Sequence, residues 1–118
     1  MSPVPPALAR TPTVLVTGAA RRLGREIALT LAQNGWRVAV HYRHSAEDAI
    51  KTVAACVHST PGAAAFHADL DDEAAVRQLL PAVLAHMGHV DAVVNSASTF
   101  EHDTCNRFTF AALEKHLR

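Results

Sequence analysis

The sequence has no excess charge of either sign, few aromatic residues and no long apolar run. Its 118 residues hold 11 Lys plus Arg and 11 Asp plus Glu, so no global basic field would attract nucleic acid or an acidic membrane. No stretch has the length and apolarity of a signal peptide or a membrane span. We therefore predict a cytoplasmic protein that binds neither nucleic acid nor membrane, in which any anion site is local.

Cysteine is also scarce, and no group of residues has metal-ligand spacing. Cys56 and Cys105 lie far apart in the chain and outside any CxxC pattern, which predicts reduced, structural thiols. Eight histidines are present, but none of the close histidine pairs has a third ligand at suitable spacing. We predict no metal site.

What the sequence does contain is a regular alternation of strand and helix patterns. Short β-branched or apolar runs predict strands, and apolar residues recurring every three or four positions predict the helices between them. Pro81 is expected to kink or split the third helix, and Ser45 is expected to cap the second. The predicted strands cover about 13–17, 36–42, 63–67 and 90–95, and the helices about 23–34, 45–60 and 71–87.

No tight hairpin signal joins the strands, so parallel pairing through right-handed crossovers is expected. This predicts a Rossmann-type doubly wound α/β fold with strand order 3-2-1-4, truncated after about four strands. Its ligand crevice lies between strands 1 and 4, at their carboxyl ends. Residues 1–12, which are rich in proline, are predicted to form a flexible arm, and residues 13–118 a partial domain.

Several apolar side chains are expected to complete the core. Leu23 on the first helix, and Ile50 and Val57 on the second, continue the apolar faces of these helices. The third helix has a longer apolar stripe, which is either core or a surface that a further partner would cover. That stripe consists of Leu79, Leu80, Val83 and Leu84.

The turn between the first strand and the first helix carries the clearest functional signal. Small residues there let the backbone approach a pyrophosphate at a helix N-terminus. The strand-turn-helix setting predicts a nucleotide-binding turn, although an ordinary turn with Gly24 used for helix packing is the alternative. The candidate ligand-binding residues of this turn are Gly18, Arg22, Leu23 and Gly24.

This turn resembles the Thr-Gly-x-x-x-Gly-x-Gly motif of the short-chain dehydrogenase/reductase family. Thr17, Gly18 and Gly24 match it, and Arg22 stands where the middle glycine usually lies. Later segments match in order over about residues 12 to 118. The resemblance implies that Asp69, with Leu70, holds the adenine, and that the segment after strand 4 binds cofactor through Asn95, Ser96 and Ala97.

The end of strand 2 indicates which dinucleotide would bind. NAD-selective folds place a carboxylate there, which would repel a 2′-phosphate. This segment has none, whereas Arg43 and Ser45, together with Arg22 from the turn, could bind a phosphate. We therefore predict NADP(H) as the cofactor. The candidate residues at this strand end are His41, Tyr42, Arg43, His44 and Ser45.

Within the family the sequence is most similar to the pteridine reductases and their dihydropteridine-reducing relatives. The basic turn, the strand 2 ending and the segment 95–100 carry this likeness. It implies that Phe100 stacks on a flat heteroaromatic substrate such as a pteridine, and that Ser98 lines the pocket. The alternatives are a reductase of carbonyl substrates such as 3-oxoacyl thioesters, and a non-catalytic nucleotide-binding protein.

The catalytic residues of the family have no counterpart in this sequence. Its reaction uses a Tyr and a Lys four residues later. The only tyrosine, Tyr42, is followed at that position by Ala46, so no catalytic residue is assigned. We expect the chain to be the cofactor-binding part of a longer, homo-oligomeric reductase acting on a small molecule, and to be inactive alone.

Overall fold

The structure is a computed structural model and describes residues 10–96. Strands and helices alternate along the chain, as the apolar patterns predict. The elements are β1 (Thr13–Thr17), α1 (Arg22–Gln33), β2 (Arg37–Tyr42), α2 (Ala46–Ser59), β3 (Ala64–His67), α3 (Glu73–Met87) and β4 (Ala92–Asn95).

The four strands form one parallel sheet in the order β3-β2-β1-β4. Every residue of β1 is buried, as expected for a central strand covered on both faces. In the register of the sheet, Leu15 lies beside Ala39 of β2 and Val93 of β4. The predicted α/β fold and strand order are confirmed, and the carboxyl ends of all four strands lie at the same edge.

Helices cover both faces of the sheet. Successive side chains of a strand point to opposite faces, so Leu15 joins the core beneath α3, whereas Val14 and Val16 join the core beneath α1 and α2. The apolar stripe of α3 lies in the first of these cores, where Leu79 and Leu80 are buried. Of the two interpretations of this stripe, the core is confirmed.

The exposed positions of three apolar residues correct the predicted helix faces. Leu23 is 68% exposed, Ile50 64% and Val57 42%. Smaller residues of the same helices, including Ala28 and Ala49, make the close contacts with the sheet instead. Small side chains allow a helix to lie close to a strand. The stripe of each helix that is buried against the sheet is therefore narrower than the apolar pattern of the sequence suggested.

The N-terminal ends of α3 and α2 differ in their capping. The carboxylate of Asp72 accepts a hydrogen bond from the amide of Ala74 at 3.0 Å, and Gly88 ends α3 with φ 89°. Ser45 is the N-cap residue of α2, but its side chain makes no capping hydrogen bond among the described residues. The prediction of a Ser45 side-chain cap is therefore wrong.

Pro81 does not divide α3, which runs without a break from residue 73 to 87. The ring of a proline removes the hydrogen bond to the carbonyl four residues earlier, here that of Arg77. Both residues lie on the exposed side of the helix, where water can reach that carbonyl. Of the predicted kink or split, the split is therefore wrong, because the lost hydrogen bond falls on the solvent side.

At the amino end of the sheet, side chains connect the starts of the strands. The guanidinium of Arg37, at the start of β2, donates to the hydroxyl of Thr13 through Nη2 at 2.6 Å and to the carbonyl of Met87 at 2.5 Å. These two contacts join β1, β2 and the end of α3.

Asp91, just before β4, completes these contacts. One carboxylate oxygen accepts from Nη2 of Arg10 at 2.6 Å, and the other accepts from the backbone amide of Thr13 at 2.8 Å. His89 lies 3.3 Å from the second oxygen. We call these side chains the amino-end network: Arg10, Thr13, Arg37, His89 and Asp91. Residues 10–12 of the predicted arm thus lie against the sheet, and residues 1–9 lie outside the described residues.

Candidate functional site

The segment 17–24, which we call the phosphate turn, includes the first turn of α1, which packs closely against Gly18. A Cβ atom added to Gly24 would overlap the carbonyl oxygen of Gly18 and lie 2.8 Å from the hydroxyl oxygen of Ser96. Only glycine therefore allows the helix to begin so close to the turn. Gly18 itself has φ 64°, a left-handed conformation that favours glycine.

Arg22 also adopts a left-handed conformation, with φ 54°. A non-glycine residue in that region costs roughly 1–2 kcal/mol, so the turn holds Arg22 against its own preference. The position is the one where the family motif has its middle glycine. Arg22 and the neighbouring Leu23 are both exposed, so the turn presents a guanidinium and an apolar side chain to solvent beside the helix N-terminus.

His41, predicted as a cofactor ligand at the end of β2, is instead buried with 2% of its surface exposed. Its Nδ1 atom accepts a hydrogen bond from the amide of Gly18 at 2.9 Å, and its Nε2 atom lies 2.8 Å from the carbonyl oxygen of Ala68. Both ring nitrogens are thus used within the fold. His41 contacts the phosphate turn from behind, and the ring offers no further polar atom to a ligand.

Arg43 reaches across to the loop after β3. Its Nη2 atom lies 2.9 Å from a carboxylate oxygen of Asp71, and its Nε atom lies 3.3 Å from one of Asp69. The Nε atom is nevertheless buried without a hydrogen-bond partner in residues 10–96. Arg43, which was predicted to bind the phosphate, and Asp69, which was predicted to bind the adenine, therefore form an ion pair at this edge.

The other strand 2 residues surround this pair. Tyr42 is half-buried, with its ring 5.4 Å from that of His67 on β3, while His44 is exposed. Ser45 stands at the start of α2 with its hydroxyl not engaged in capping. Leu70, predicted to contact the cofactor, is buried in the core beneath α3, where its side chain stabilises the loop after β3.

At the end of β4, Asn95 and Ser96 connect to the end of β1. The hydroxyl of Thr17 donates to Asn95 Oδ1 at 2.9 Å and accepts from the amide of Ser96 at 3.0 Å. The hydroxyl of Ser96 also donates to the carbonyl of Thr17. These bonds join the strands that border the predicted crevice. Ala97, Ser98 and Phe100 lie outside the described residues.

Asp71 is the member of this site that sequence reasoning missed. No role in the site was predicted for it, and Asp72 rather than Asp71 caps α3. The signal was its place just after β3, because the carboxyl ends of neighbouring parallel strands meet at one edge. An acidic residue there faces the basic end of β2.

Within residues 10–96, no helix is long and apolar enough to cross a membrane. Over the same range, no three His, Cys, Asp or Glu side chains converge in a way that could hold a metal ion. Cys56 is a free, buried thiol, and burial raises its pKa to about 11.

A family profile described as short chain dehydrogenase matches residues 12–117. Versicolorin reductase 1 of Aspergillus parasiticus is 39% identical over 83 residues, which are 70% of this chain and 32% of that protein. The 3-oxoacyl-(acyl-carrier-protein) reductase FabG of Staphylococcus aureus is 38% identical over 87 residues, 74% of this chain and 35% of FabG.

A third relative is the short chain dehydrogenase/reductase nsrJ of Aspergillus novofumigatus. It is 40% identical over 83 residues, which cover 70% of this chain and 31% of nsrJ. The chain therefore spans about a third of the length of these curated relatives.

Proposed function

The chain belongs to the short chain dehydrogenase family, and we propose that it is the cofactor-binding part of an NADP(H)-dependent reductase. The observation that carries this proposal is the contact of Gly24 with Gly18, where no Cβ atom fits. Such a contact brings the backbone of the phosphate turn to the N-terminus of α1. The free amides of a helix N-terminus and its positive dipole end favour a phosphate group.

The preference for NADP(H) over NAD(H) rests on the charges around the end of β2. The segment 41–45 contributes a guanidinium and no carboxylate, and Arg22 extends from the adjacent turn. The buried Nε atom of Arg43, which has no hydrogen-bond partner in the described part of the chain, can donate to a phosphate oxygen. The 2′-phosphate would compete with Asp71 and Asp69 for this guanidinium.

The chain spans about a third of the length of its relatives, so the chemical step is proposed for a whole protein of their length. NADPH would supply a hydride when bound, and the residues described here would hold and orient the cofactor. For the chain alone we propose cofactor binding without turnover. A cytoplasmic location and a homo-oligomeric whole protein stay predictions.

We propose a carbonyl compound as the substrate of the whole protein. One relative, FabG, is named as a reductase of a 3-oxoacyl group, which contains a ketone. A dihydropteridine is the second candidate. It is favoured by the exposed Arg22, because the basic turn is one of the segments that carry the likeness to the pteridine-reducing members.

Calorimetric titration of the chain with NADPH and NADH tests the cofactor proposal. A charge-assisted hydrogen bond to the 2′-phosphate is worth about 1.5–3 kcal/mol, so we expect NADPH to bind at least about tenfold more tightly. Arg43→Gln should reduce this preference. Arg10→Gln is the matched control, because Arg10 also pairs with a carboxylate but lies at the other end of the sheet. Equal affinities in the wild-type chain would contradict the proposal.

The substrate proposal needs the whole protein. With NADPH, it should reduce a 3-oxoacyl thioester faster than a dihydropteridine. The reverse order would favour the second candidate.

A further inference from the structure

His41 is a polar, titratable residue enclosed by the fold at the site where a cofactor would bind. Its ring connects the amide of Gly18 in the phosphate turn with the carbonyl of Ala68 at the end of β3. The backbone carbonyl of His41 also accepts a hydrogen bond from the amide of Ala19 at 2.9 Å. One residue of β2 thus accepts hydrogen bonds from two successive amides of the phosphate turn, those of Gly18 and Ala19.

The partners of the ring determine its protonation. An amide can only donate, so Nδ1 must be an unprotonated acceptor toward Gly18, whereas the carbonyl of Ala68 can only accept and requires a proton on Nε2. The geometry is therefore satisfied by the neutral ring with its proton on Nε2. A doubly protonated ring would place a donor against the donor of Gly18.

We propose that His41 is a positioning residue for cofactor binding, which fixes the phosphate turn to the end of β3 and so sets the distance between the two sides of the dinucleotide site. This inference rests on the proposed function. Gly18 begins the side that would hold the pyrophosphate, and Ala68 precedes Asp69 on the side that would hold the adenine. An apolar side chain of similar volume could fill the space, but it would leave the Gly18 amide without its acceptor.

Burial supports the neutral form, because it lowers the pKa of His41 below its usual value of 6.5. The hydrogen bond to Ala68 opposes this change, and the nearby His67 of β3 adds to it. The phosphate turn and the end of β3 meet the ring through main-chain atoms of Gly18 and Ala68. Beyond Ala68, the carboxylates of Asp69 and Asp71 pair with the guanidinium of Arg43.

The test measures NADP⁺ affinity of the full chain by calorimetry between pH 5 and 8, with circular dichroism at each pH to show that the chain is folded. For the wild type we expect affinity to fall on the acid side as His41 takes up a proton and the Gly18 amide loses its acceptor. The cofactor phosphate also titrates in this range, but it does so equally in every variant.

Two substitutions separate positioning from packing. His41→Asn supplies an amide that accepts and donates without titrating, so it should retain most of the affinity and lose the additional acid-side fall. His41→Leu should weaken binding by about tenfold or more at neutral pH, since a buried amide loses its acceptor. His58→Asn, at an exposed position of α2, is the control and should behave as the wild type.

The outcomes distinguish this inference from the function on which it rests. If the folded wild type binds no NADP⁺ at any pH, both are overturned. If it binds and His41→Leu binds equally well, or if His41→Asn shows the same acid-side fall as the wild type, only the positioning role of His41 is overturned. If His41→Leu fails to fold, the positioning role of His41 is still tested by comparing the acid-side fall in NADP⁺ affinity between the wild type and His41→Asn.

Discussion

The two ends of the sheet carry polar side chains of similar type but use them differently. At the amino end, Arg37 has acceptors in Thr13 and Met87, and both carboxylate oxygens of Asp91 have partners. At the carboxyl end, Arg43 is ion-paired yet keeps a buried Nε atom without a hydrogen-bond partner in residues 10–96, and Arg22 has a left-handed backbone.

This difference suggests different roles for the two ends of the sheet: the amino end stabilises the fold, and the carboxyl end is suited to binding a ligand. A network whose donors and acceptors satisfy one another connects the strands and has little left to offer a ligand. Strained and incompletely bonded groups persist where the surrounding fold holds them, and they concentrate at functional sites. In a doubly wound sheet, the carboxyl ends of the strands are where ligands bind.

The largest effect is expected from Gly24→Ala at the carboxyl end. The added Cβ atom would overlap main-chain atoms of Gly18, which cannot rotate away, so the free energy of unfolding should fall by about 3 kcal/mol and cofactor binding should be lost. Urea unfolding and NADPH titration measure both quantities.

Gly35→Ala is the control for this substitution. Gly35 has φ 92°, but a Cβ atom there would meet no atom within 4 Å in the described part of the chain. Its cost should be the conformational one, about 1–2 kcal/mol, with cofactor affinity unchanged. If the two variants are equally stable and bind equally well, the close approach of turn and helix is not required.

At the amino end, Asp91→Ala should reduce stability without changing cofactor selectivity. It leaves the amide of Thr13 without its acceptor, which costs about 1–3 kcal/mol of unfolding free energy. The ratio of NADPH to NADH affinity should stay that of the wild type. Glu73→Ala, which removes an exposed carboxylate paired with Arg77, should cost less than about 0.5 kcal/mol. A changed affinity ratio in Asp91→Ala would contradict the division between the two ends.

Asp71→Asn tests the competition for Arg43. Removing one carboxylate from the guanidinium leaves it more available to a 2′-phosphate, so NADPH affinity should rise by up to about fivefold, the worth of a surface ion pair. Glu73→Gln removes the same charge two residues away and should have a smaller effect. A fall in NADPH affinity in Asp71→Asn would show that Asp71 assists binding.

The smallest effect concerns the dependence of stability on pH. Because burial lowers the pKa of His41 in the folded chain, the unfolded chain binds more protons below about pH 6.5, and stability should decrease as the pH falls. Between pH 7 and 6 this amounts to less than about 1 kcal/mol. His41→Asn should remove this part of the slope, which urea unfolding at both pH values would detect. An unchanged slope would contradict the assigned protonation of His41.

The sequence was sufficient for the fold because the relevant signals are local. The apolar run of β1 predicted a strand, and the absence of hairpin turns predicted parallel pairing. The apolar faces of the helices were less predictable. Leu23 and Ile50 continue the helical pattern, yet alanines make the contacts with the sheet, because the distance between helix and sheet is set by packing that periodicity does not report.

The candidate site residues lie at the edge of the sheet that the sequence predicted, but their contacts were less predictable. Gly18, Gly24 and Arg43 all lie at the expected edge. The role of His41 depends on two partners in different segments, Gly18 and Ala68, which come together only through the register of the sheet. Likewise, the pairing of Arg43 with Asp71 arises between two loops that are distant in sequence.

The most direct test of the central claim compares 2′,5′-ADP with 5′-AMP as ligands of the chain, since the two differ only in the 2′-phosphate. Binding would be followed by changes in backbone amide chemical shifts. We predict that 2′,5′-ADP binds at least about tenfold more tightly and that the shifts concentrate at residues 18–24, 43–45 and 69–71. Equal affinities, or shifts concentrated at residues 10–13 and 88–91, would contradict the assignment of an NADP(H) site to the carboxyl end of the sheet.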